Sequence, residues 1–291
     1  LPEADCVVVA GANAPWHPPL IELKEGCKVI VFEEDPLRPR APYWGYRTDH
    51  CVAGDIGMNL AQLYQQLKGR ITSSPTGRAE HWNQYNRQSG EQARAQTDVT
   101  QAGNMVHASA LFQALHQALP PGSAIVDEIV AQTGFMVQTL FQSKSFKQYR
   151  GWAGALGTGL PTALGVKLAE PDNPVVCVMG DGAFSYNPIP ACFGLAQQYK
   201  LPILIVICNN QGYASQAWNV QKYFPQGSAV RTGNYYGKVI DPTPDYWKLA
   251  AAFGGYGERV STPESLEAAI QRGLAAMADG QFAVLDVLVT P

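Results

Sequence analysis

Two segments, 174–180 and 201–208, are apolar at nearly every position, and they constrain the possible folds of this chain more than any other feature. They are far shorter than the ~20 apolar residues that a membrane-spanning helix needs. A strand that is buried on both faces, as in a parallel sheet covered by helices, has this pattern. The two segments therefore predict adjacent central strands of a parallel sheet.

Helix-like and strand-like segments alternate around these two strands. We predict helices over 102–119, 160–168, 189–199, 243–253 and 263–277, and further strands over 124–127 and 282–289. Such alternation is typical of an α/β fold with a doubly wound parallel sheet and helices on both faces. We therefore expect residues 101–291 to form one complete domain.

The first 70 residues show a shorter version of the same alternation. Strands are predicted over 6–10 and 28–32, and a helix is predicted over 58–67. Three short elements are few for an independent domain. We interpret residues 1–70 as the C-terminal part of a middle α/β domain, and the polar segment 71–100 as a linker. Because the chain begins at Leu1 rather than Met, we expect a further N-terminal part of the protein.

The composition narrows the function classes. A hydrophobic fraction of 46% excludes a disordered chain. The chain has 21 Lys and Arg residues and 24 Asp and Glu residues, and the basic residues form no stripe along the sequence. We therefore expect no nucleic-acid partner and no membrane association. The six cysteines form no C-x-x-C pair, and Cys177 and Cys208 lie in apolar strands as small buried side chains. A reducing, cytoplasmic location is the simplest interpretation.

Polar motifs end both central strands. Gly180-Asp181-Gly182 follows the first strand, and Asn209-Asn210 follows the second after 26 intervening residues. Ligands of open α/β sheets bind at the carboxyl ends of strands, where Asp and Asn oxygens suit Mg²⁺ or Ca²⁺. A glycine followed by a helix lets a phosphate approach backbone N–H groups. Either motif alone is more often a turn, but together they predict a site for a metal-bridged diphosphate.

The pair of motifs resembles the diphosphate-binding signature of thiamine diphosphate (ThDP) enzymes. The glycine-rich segment 154–165, the segment 167–171 and residues 211–213 are similar to the benzoylformate decarboxylase and acetolactate synthase group. The resemblance covers residues 100–291 well and residues 1–70 more weakly, where it suggests the end of the family's middle domain. The chain therefore resembles the C-terminal portion of these enzymes.

The resemblance implies a role for each residue of the signature. The Asp181 carboxylate, the Asn210 side chain and the Gly212 carbonyl would bind Mg²⁺. The remaining expected cofactor contacts are Gly180, Gly182, Ala183 and Tyr213.

Two further segments of the resemblance would contact ThDP. Leu156 occupies the position of the apolar wedge that bends ThDP; the other interpretation is a leucine of the hydrophobic core. The Gly154 carbonyl would accept a hydrogen bond from the 4′-amino group of the ThDP pyrimidine. The loop 127–131 would approach the diphosphate through backbone N–H groups, because residues 129–131 carry no hydroxyl. Glu128 could equally be a structural acid.

The resemblance also implies the reaction and the partners. It points to an enzyme that uses ThDP and Mg²⁺ for non-oxidative decarboxylation of a 2-oxo acid, carboligation, or both, through an enamine intermediate. In this family the activating glutamate lies on an N-terminal pyrimidine-binding domain, so we expect this chain to be inactive without that segment or subunit. Further expected partners are a second copy, in a homodimer or homotetramer, and a small 2-oxo acid or aldehyde. An acetolactate-synthase-like or aldehyde-lyase-like enzyme and a non-catalytic subunit remain alternatives.

Overall fold

The chain is described by a computed structural model that covers residues 1–16, 21–36, 38, 45–70, 77–85, 87–88, 91, 105–141, 145–150 and 155–290. Its contacts divide into two compact units, Leu1–Asn83 and Gln84–Pro291, and each is described separately here. The division falls inside the predicted linker 71–100, and the domain bounds derived from the sequence stay a prediction.

The first unit contains a three-stranded parallel sheet. Its strands β1 (Cys6–Ala10), β2 (Lys28–Glu33) and β3 (His50–Ala53) are hydrogen-bonded in this order, and helix α1 (Ile56–Leu67) follows. The Asp55 carboxylate accepts the N–H of Met58 at 2.7 Å, which caps the start of α1. Residues 78–85 are also helical. The strands predicted at 6–10 and 28–32 are confirmed, whereas the short strand β3 was not foreseen.

The second unit contains a six-stranded parallel sheet. Its strands are β4 (Ala124–Glu128), β5 (Lys147–Arg150), β6 (Val175–Gly180), β7 (Leu204–Asn209), β8 (Tyr256–Val260) and β9 (Ala283–Leu288). They lie in the order β5-β4-β6-β7-β9-β8, and every neighbouring pair is parallel. The predicted central strands are therefore neighbours in the middle of the sheet.

Helices cover both faces of this sheet. The helices of this unit are α2 (Ala108–Ala118), α3 (Thr133–Thr139), α4 (Gly159–Ala169), α5 (Asp181–Tyr186), α6 (Ile189–Tyr199), α7 (Ala214–Tyr223), α8 (Ser228–Thr232), α9 (Lys248–Ala251) and α10 (Pro263–Ala278). Val176 and Val178 of β6 pack into one core with α2 and α10, whereas Cys177 and Met179 pack into another with α4 and α6. Successive side chains of a strand point to opposite faces, so both faces of β6 are buried. The predicted doubly wound sheet is confirmed.

One helix is much shorter than predicted, and another begins later than predicted. Of residues 243–253 only Lys248–Ala251 are helical, because Pro242 and Pro244 restrict the backbone ahead of this segment. The helix predicted over 102–119 begins at Ala108, where the His107 side chain is the cap; residues 101–104 lie outside the described part of the chain.

Cys177 and Cys208 are fully or almost fully buried, as the apolar pattern around them predicts. Within the described ranges, no helix combines the length and the apolar composition that crossing a bilayer requires.

Truncation of the central strand should destabilise the second unit. Ile205 of β7 is fully buried, so Ile205→Ala should lower the free energy of unfolding by about 2–5 kcal/mol, measured by urea denaturation. Leu168→Ala on α4, where the leucine is 54% exposed, is the control and should change it by less than about 1 kcal/mol. Equal effects of the two substitutions would contradict the burial described here.

Candidate functional site

The carboxyl ends of β6 and β7 form one wall of a cavity of about 180 Å³. Gly180 pairs with Cys208 in the parallel register, so Asp181 and Asn210 follow at the same edge of the sheet. The predicted site residues that line this cavity are Leu156, Gly180, Asp181, Gly182, Ala183, Asn210, Gly212 and Tyr213. Gly154 lies outside the described residues. The structure therefore brings together all predicted site residues that it describes.

Asp181 is a buried acid at the first position of α5. Its residue surface is 1% exposed, and its Oδ2 accepts the N–H of Gly212 at 2.8 Å. Burial raises the pKa of Asp181 to about 6, against the opposing effect of backbone N–H groups from Gly182 and Gly212. A divalent cation beside this carboxylate would neutralise it and favour its ionised form.

Two polar groups, the Asn210 amide and the Gly212 carbonyl, converge beside this carboxylate. Asn210 Oδ1 lies 3.2 Å from Asp181 Oδ1 and 2.8 Å from the carbonyl oxygen of Gly212. In the metal-free protein the hydrogen bonds favour the opposite orientation of this amide, in which its NH₂ group donates to both oxygens. A half-turn presents the amide oxygen instead, and three oxygen atoms can then face one cation. Adjacent ligands of an octahedral Mg²⁺ at 2.0–2.1 Å are about 3 Å apart. The donor set therefore fits Mg²⁺.

The other part of this ligand set consists of neutral groups. Among the described residues, no three His, Cys, Asp or Glu side chains cluster in a way that could hold a metal. An amide oxygen and a backbone carbonyl accompany the single carboxylate instead, which is typical of hard cations such as Mg²⁺ that also bind phosphate oxygens.

A second segment holds the loop that carries the Gly212 carbonyl. Gly212 forms an antiparallel bridge with Val239, and the N–H of Tyr213 donates to the carbonyl of Lys238 at 2.7 Å. A Cβ on Gly212 would lie 2.2 Å from that same Lys238 oxygen, so only glycine fits. Residues 238–240 carry no motif, and the sequence offered no signal for this contact.

The two asparagines of the second motif have different roles. Asn209 is fully buried, donates to Asp286 Oδ1 at 2.8 Å and accepts the N–H of Gln211 at 3.1 Å. Asp286 also accepts hydrogen bonds from the guanidinium of Arg259. Asn209 therefore fixes the turn after β7, whereas the side chain of Asn210 faces the cavity.

Tyr213 packs against the start of α5. A Cβ on Gly182 would lie 2.5 Å from Tyr213 Cε1, so the tyrosine ring occupies the space that a side chain at position 182 would need. Gly180, Gly182 and Ala183 consequently present mainly backbone at the cavity wall.

Glu128 holds the turn that carries Leu156. Its carboxylate accepts the N–H groups of Gly157, of Thr158 at 3.1 Å and of Gly159 at 2.9 Å. Gly157 has φ +95°, and a Cβ there would lie 2.6 Å from the carbonyl oxygen of Tyr186. The structural interpretation of Glu128 is thereby confirmed, and Leu156 remains 37% exposed beside the cavity.

Asn187 completes this support, and the sequence carried no signal for it. Its Nδ2 donates to Glu128 Oε2 at 2.8 Å and to the carbonyl of Ala183 at 2.9 Å, and its Oδ1 accepts the N–H of Leu160 at 3.0 Å. One buried amide therefore links the end of β4 to the start of α4 and to α5.

Removal of the Glu128 carboxylate should loosen the Leu156 turn. In Glu128→Ala, amide hydrogen exchange at residues 157–159 should accelerate by roughly tenfold or more, because three N–H groups lose their acceptor. Glu170→Ala at the other end of α4 is the matched control and should leave these amides protected. Unchanged exchange in Glu128→Ala would contradict this role.

The raised pKa of Asp181 predicts that the free energy of unfolding of the metal-free protein falls as the pH rises. Because the folded-state pKa of about 6 lies above the ordinary value of 3.8, stability is fully present below pH 3.8 and is lost as the pH rises through 6. Metal-free Asp181→Asn should therefore be more stable than the wild type at pH 8, by up to about 3 kcal/mol, and this difference should disappear below about pH 3.8. Urea unfolding in EDTA measures this, with the exposed Asp279→Asn as control. A difference that does not change with pH would contradict the assignment.

Comparisons with known proteins match the part of the chain that contains this cavity. The family model for the "Thiamine pyrophosphate enzyme, C-terminal TPP binding domain" matches residues 130–287. The chain is 29% identical over 245 residues to acetolactate synthase isozyme 3 large subunit of Escherichia coli (strain K12), covering 83% of this chain and 40% of that protein. It is also 29% identical over 265 residues to 2-hydroxyacyl-CoA lyase 2 of Bos taurus, covering 88% and 39%. The chain thus spans about two fifths of the length of these relatives.

Solved structures show the same fold. The thiamine diphosphate-dependent 4-hydroxybenzoylformate decarboxylase of Rhodococcus jostii RHA1 matches with a TM-score of 0.74 and 23% identity, over 98% of this chain and 49% of that chain. Benzoylformate decarboxylase from Polynucleobacter necessarius matches with a TM-score of 0.70 and 18% identity, over the same shares.

Proposed function

The chain belongs to the thiamine pyrophosphate enzyme family, and we propose that it binds the diphosphate of ThDP through Mg²⁺ held by Asp181, Asn210 and Gly212. The convergence of the Asp181 carboxylate, the Asn210 amide and the Gly212 carbonyl at one cavity carries the proposal. Gly180, Gly182, Ala183 and Tyr213 line the same cavity and would contact the diphosphate and the metal loop.

The protein would position the cofactor rather than perform the bond chemistry itself. When bound, ThDP supplies a carbon nucleophile for the carbonyl of a 2-oxo acid and accepts the electron pair that remains when CO₂ leaves. Leu156 would act as the apolar wedge against which the cofactor bends, and Glu128 keeps that wedge in place through the backbone of its turn. The Gly154 carbonyl would accept a hydrogen bond from the pyrimidine amino group.

We propose non-oxidative decarboxylation of a 2-oxo acid, carboligation, or both as the reaction. The names of the relatives support this class, since an acetolactate synthase, a hydroxyacyl-CoA lyase and a decarboxylase all make or break a carbon–carbon bond. An acetolactate-synthase-like or lyase-like reaction is the second candidate. The presence of Asp181, Asn210 and Gly212 together argues against a non-catalytic subunit, because a chain that binds no cofactor has no physical need for this ligand set.

The pyrimidine half of the cofactor would be bound elsewhere. Because the chain spans about two fifths of its relatives, we propose that the rest of the same protein, or another subunit, supplies that half within a homodimer or homotetramer. A cytoplasmic location is part of the proposal. The chain alone should then release no CO₂ from 2-oxo acids with ThDP and Mg²⁺, and turnover by the chain alone would contradict this arrangement.

Loss of the Asp181 carboxylate should abolish metal-dependent cofactor binding. Asp181→Ala should weaken Mg²⁺-dependent ThDP binding at least ~100-fold, because one charged ligand of the cation is lost. Isothermal calorimetry with and without Mg²⁺ measures this, and the exposed Asp279→Ala is the control. Binding with unchanged affinity and unchanged Mg²⁺ dependence in Asp181→Ala would refute the proposed site.

A further inference from the structure

A second cavity adjoins the cofactor cavity. It has a volume of about 200 Å³ and shares Glu128, Val130 and Leu156 with the first. Its remaining lining residues are Asp127, Ile129, Thr133, Arg150 and Ala155. Because Leu156 borders both spaces, a substrate that reacts beside this residue has room to extend into the second cavity.

Arg150 is held at the wall of this cavity by a buried acid. Arg150 and Asp127 are register partners on β5 and β4, and Arg150 Nε donates to Asp127 Oδ1 at 3.0 Å. The Asp127 side chain is 1% exposed, and its Oδ2 accepts from Gln148 Nε2 at 2.8 Å. The Arg150 side chain is 59% exposed, and among the described residues Asp127 is its hydrogen-bond partner, through Nε alone. Both terminal nitrogens of the guanidinium are therefore available.

The two acids of the cavity already have their hydrogen bonds. Asp127 accepts from Arg150 and Gln148, and Glu128 accepts from Asn187 and from the backbone of the Leu156 turn. Arg150 is thus the charged residue here with unused donors. A guanidinium presents its donors in a planar fork that matches a carboxylate. The cavity is smaller than the about 300–1,000 Å³ of pockets for drug-sized ligands, which suits a short acid.

The chemistry of decarboxylation decides which carboxylate can bind there. The carboxylate that leaves as CO₂ loses its charge in the transition state, so an ion pair with it would stabilise the starting state and slow the reaction. A carboxylate that does not react keeps its charge throughout, so an ion pair between it and a cationic side chain does not slow the loss of CO₂.

We propose that Arg150 binds a carboxylate that the reaction retains, an inference that rests on the proposed function. Two substrates contain such a group: a 2-oxo dicarboxylic acid, through its second carboxylate, and a 2-oxo acid that accepts the new carbon–carbon bond in a carboligation. Arg150 then sets substrate specificity, and Asp127 positions it.

The test uses the full-length holoenzyme with ThDP and Mg²⁺, and the variant Arg150→Met. Lys147→Met is the matched control, because Lys147 lies on the same strand but pairs with Glu170 on the opposite face. Arg150→Met alone would leave the buried Asp127 carboxylate without its cationic partner. The double variant Asp127→Asn/Arg150→Met removes that carboxylate as well. Mg²⁺-dependent ThDP affinity should be unchanged in Arg150→Met and Lys147→Met.

Two substrate pairs separate the two sources of the carboxylate. The first pair of donors is 2-oxoglutarate and its isostere 5-methyl-2-oxohexanoate, in which an uncharged isopropyl group replaces the second carboxylate, and CO₂ release is measured. The second pair is pyruvate and acetaldehyde as acceptors with pyruvate as donor, followed by product analysis. In at least one pair, Arg150→Met and the double variant should lower kcat/KM about 10- to 100-fold for the substrate whose carboxylate is retained in the product. Lys147→Met should leave kcat/KM for that substrate unchanged.

Three results would overturn the inference while ThDP binding is intact. They are unchanged kcat/KM in Arg150→Met for both pairs, equal losses for both members of each pair, and a wild type that uses no acid with a retained carboxylate. A wild-type holoenzyme without Mg²⁺-dependent ThDP binding would refute the proposed function itself, and the inference with it.

Discussion

Strands β6 and β7 are buried on both faces, and this burial determines where the site lies. Alternate side chains of β6 enter two different cores, so a shift of one residue in register would exchange all of them. The register pairs Gly180 with Cys208, and Asp181 and Asn210 consequently leave the sheet side by side. Core packing therefore places Asp181 and Asn210 at the same edge of the sheet, whereas the contact with residues 238–240 holds the Gly212 carbonyl.

Three acids at the ends of β4 and β6 have different roles because they have different partners. Asp127 faces a guanidinium, and Glu128 faces backbone N–H groups, so both are satisfied by the protein. Asp181 accepts backbone N–H groups and faces the amide of Asn210 and the carbonyl of Gly212. Only the last arrangement offers a set of ligands for a cation. Residue type alone would not separate these three acids, whereas the donors around each carboxylate do.

The sequence predicted what depends on local pattern and missed what depends on distant contacts. Strands β6 and β7 are continuous apolar segments, and the motifs after them are local, so both were predictable. The polar edge strand β5 (KQYR) has no such pattern, although it carries Arg150. The contacts of Asn187 with Glu128 join residues 59 positions apart, and the support of Gly212 by residues 238–240 has no motif. Tertiary proximity alone makes these residues part of the site.

The central claim is that Asp181, Asn210 and Gly212 hold a divalent cation through oxygen. Anomalous diffraction from crystals of the protein grown with Mn²⁺ and ThDP tests this most directly. The account predicts a single anomalous peak at about 2.0–2.3 Å from Asp181 Oδ1, Asn210 Oδ1 and the Gly212 carbonyl oxygen. A peak elsewhere, or an Asn210 amide whose NH₂ group donates to Asp181 and Gly212 in the presence of Mn²⁺, would contradict it.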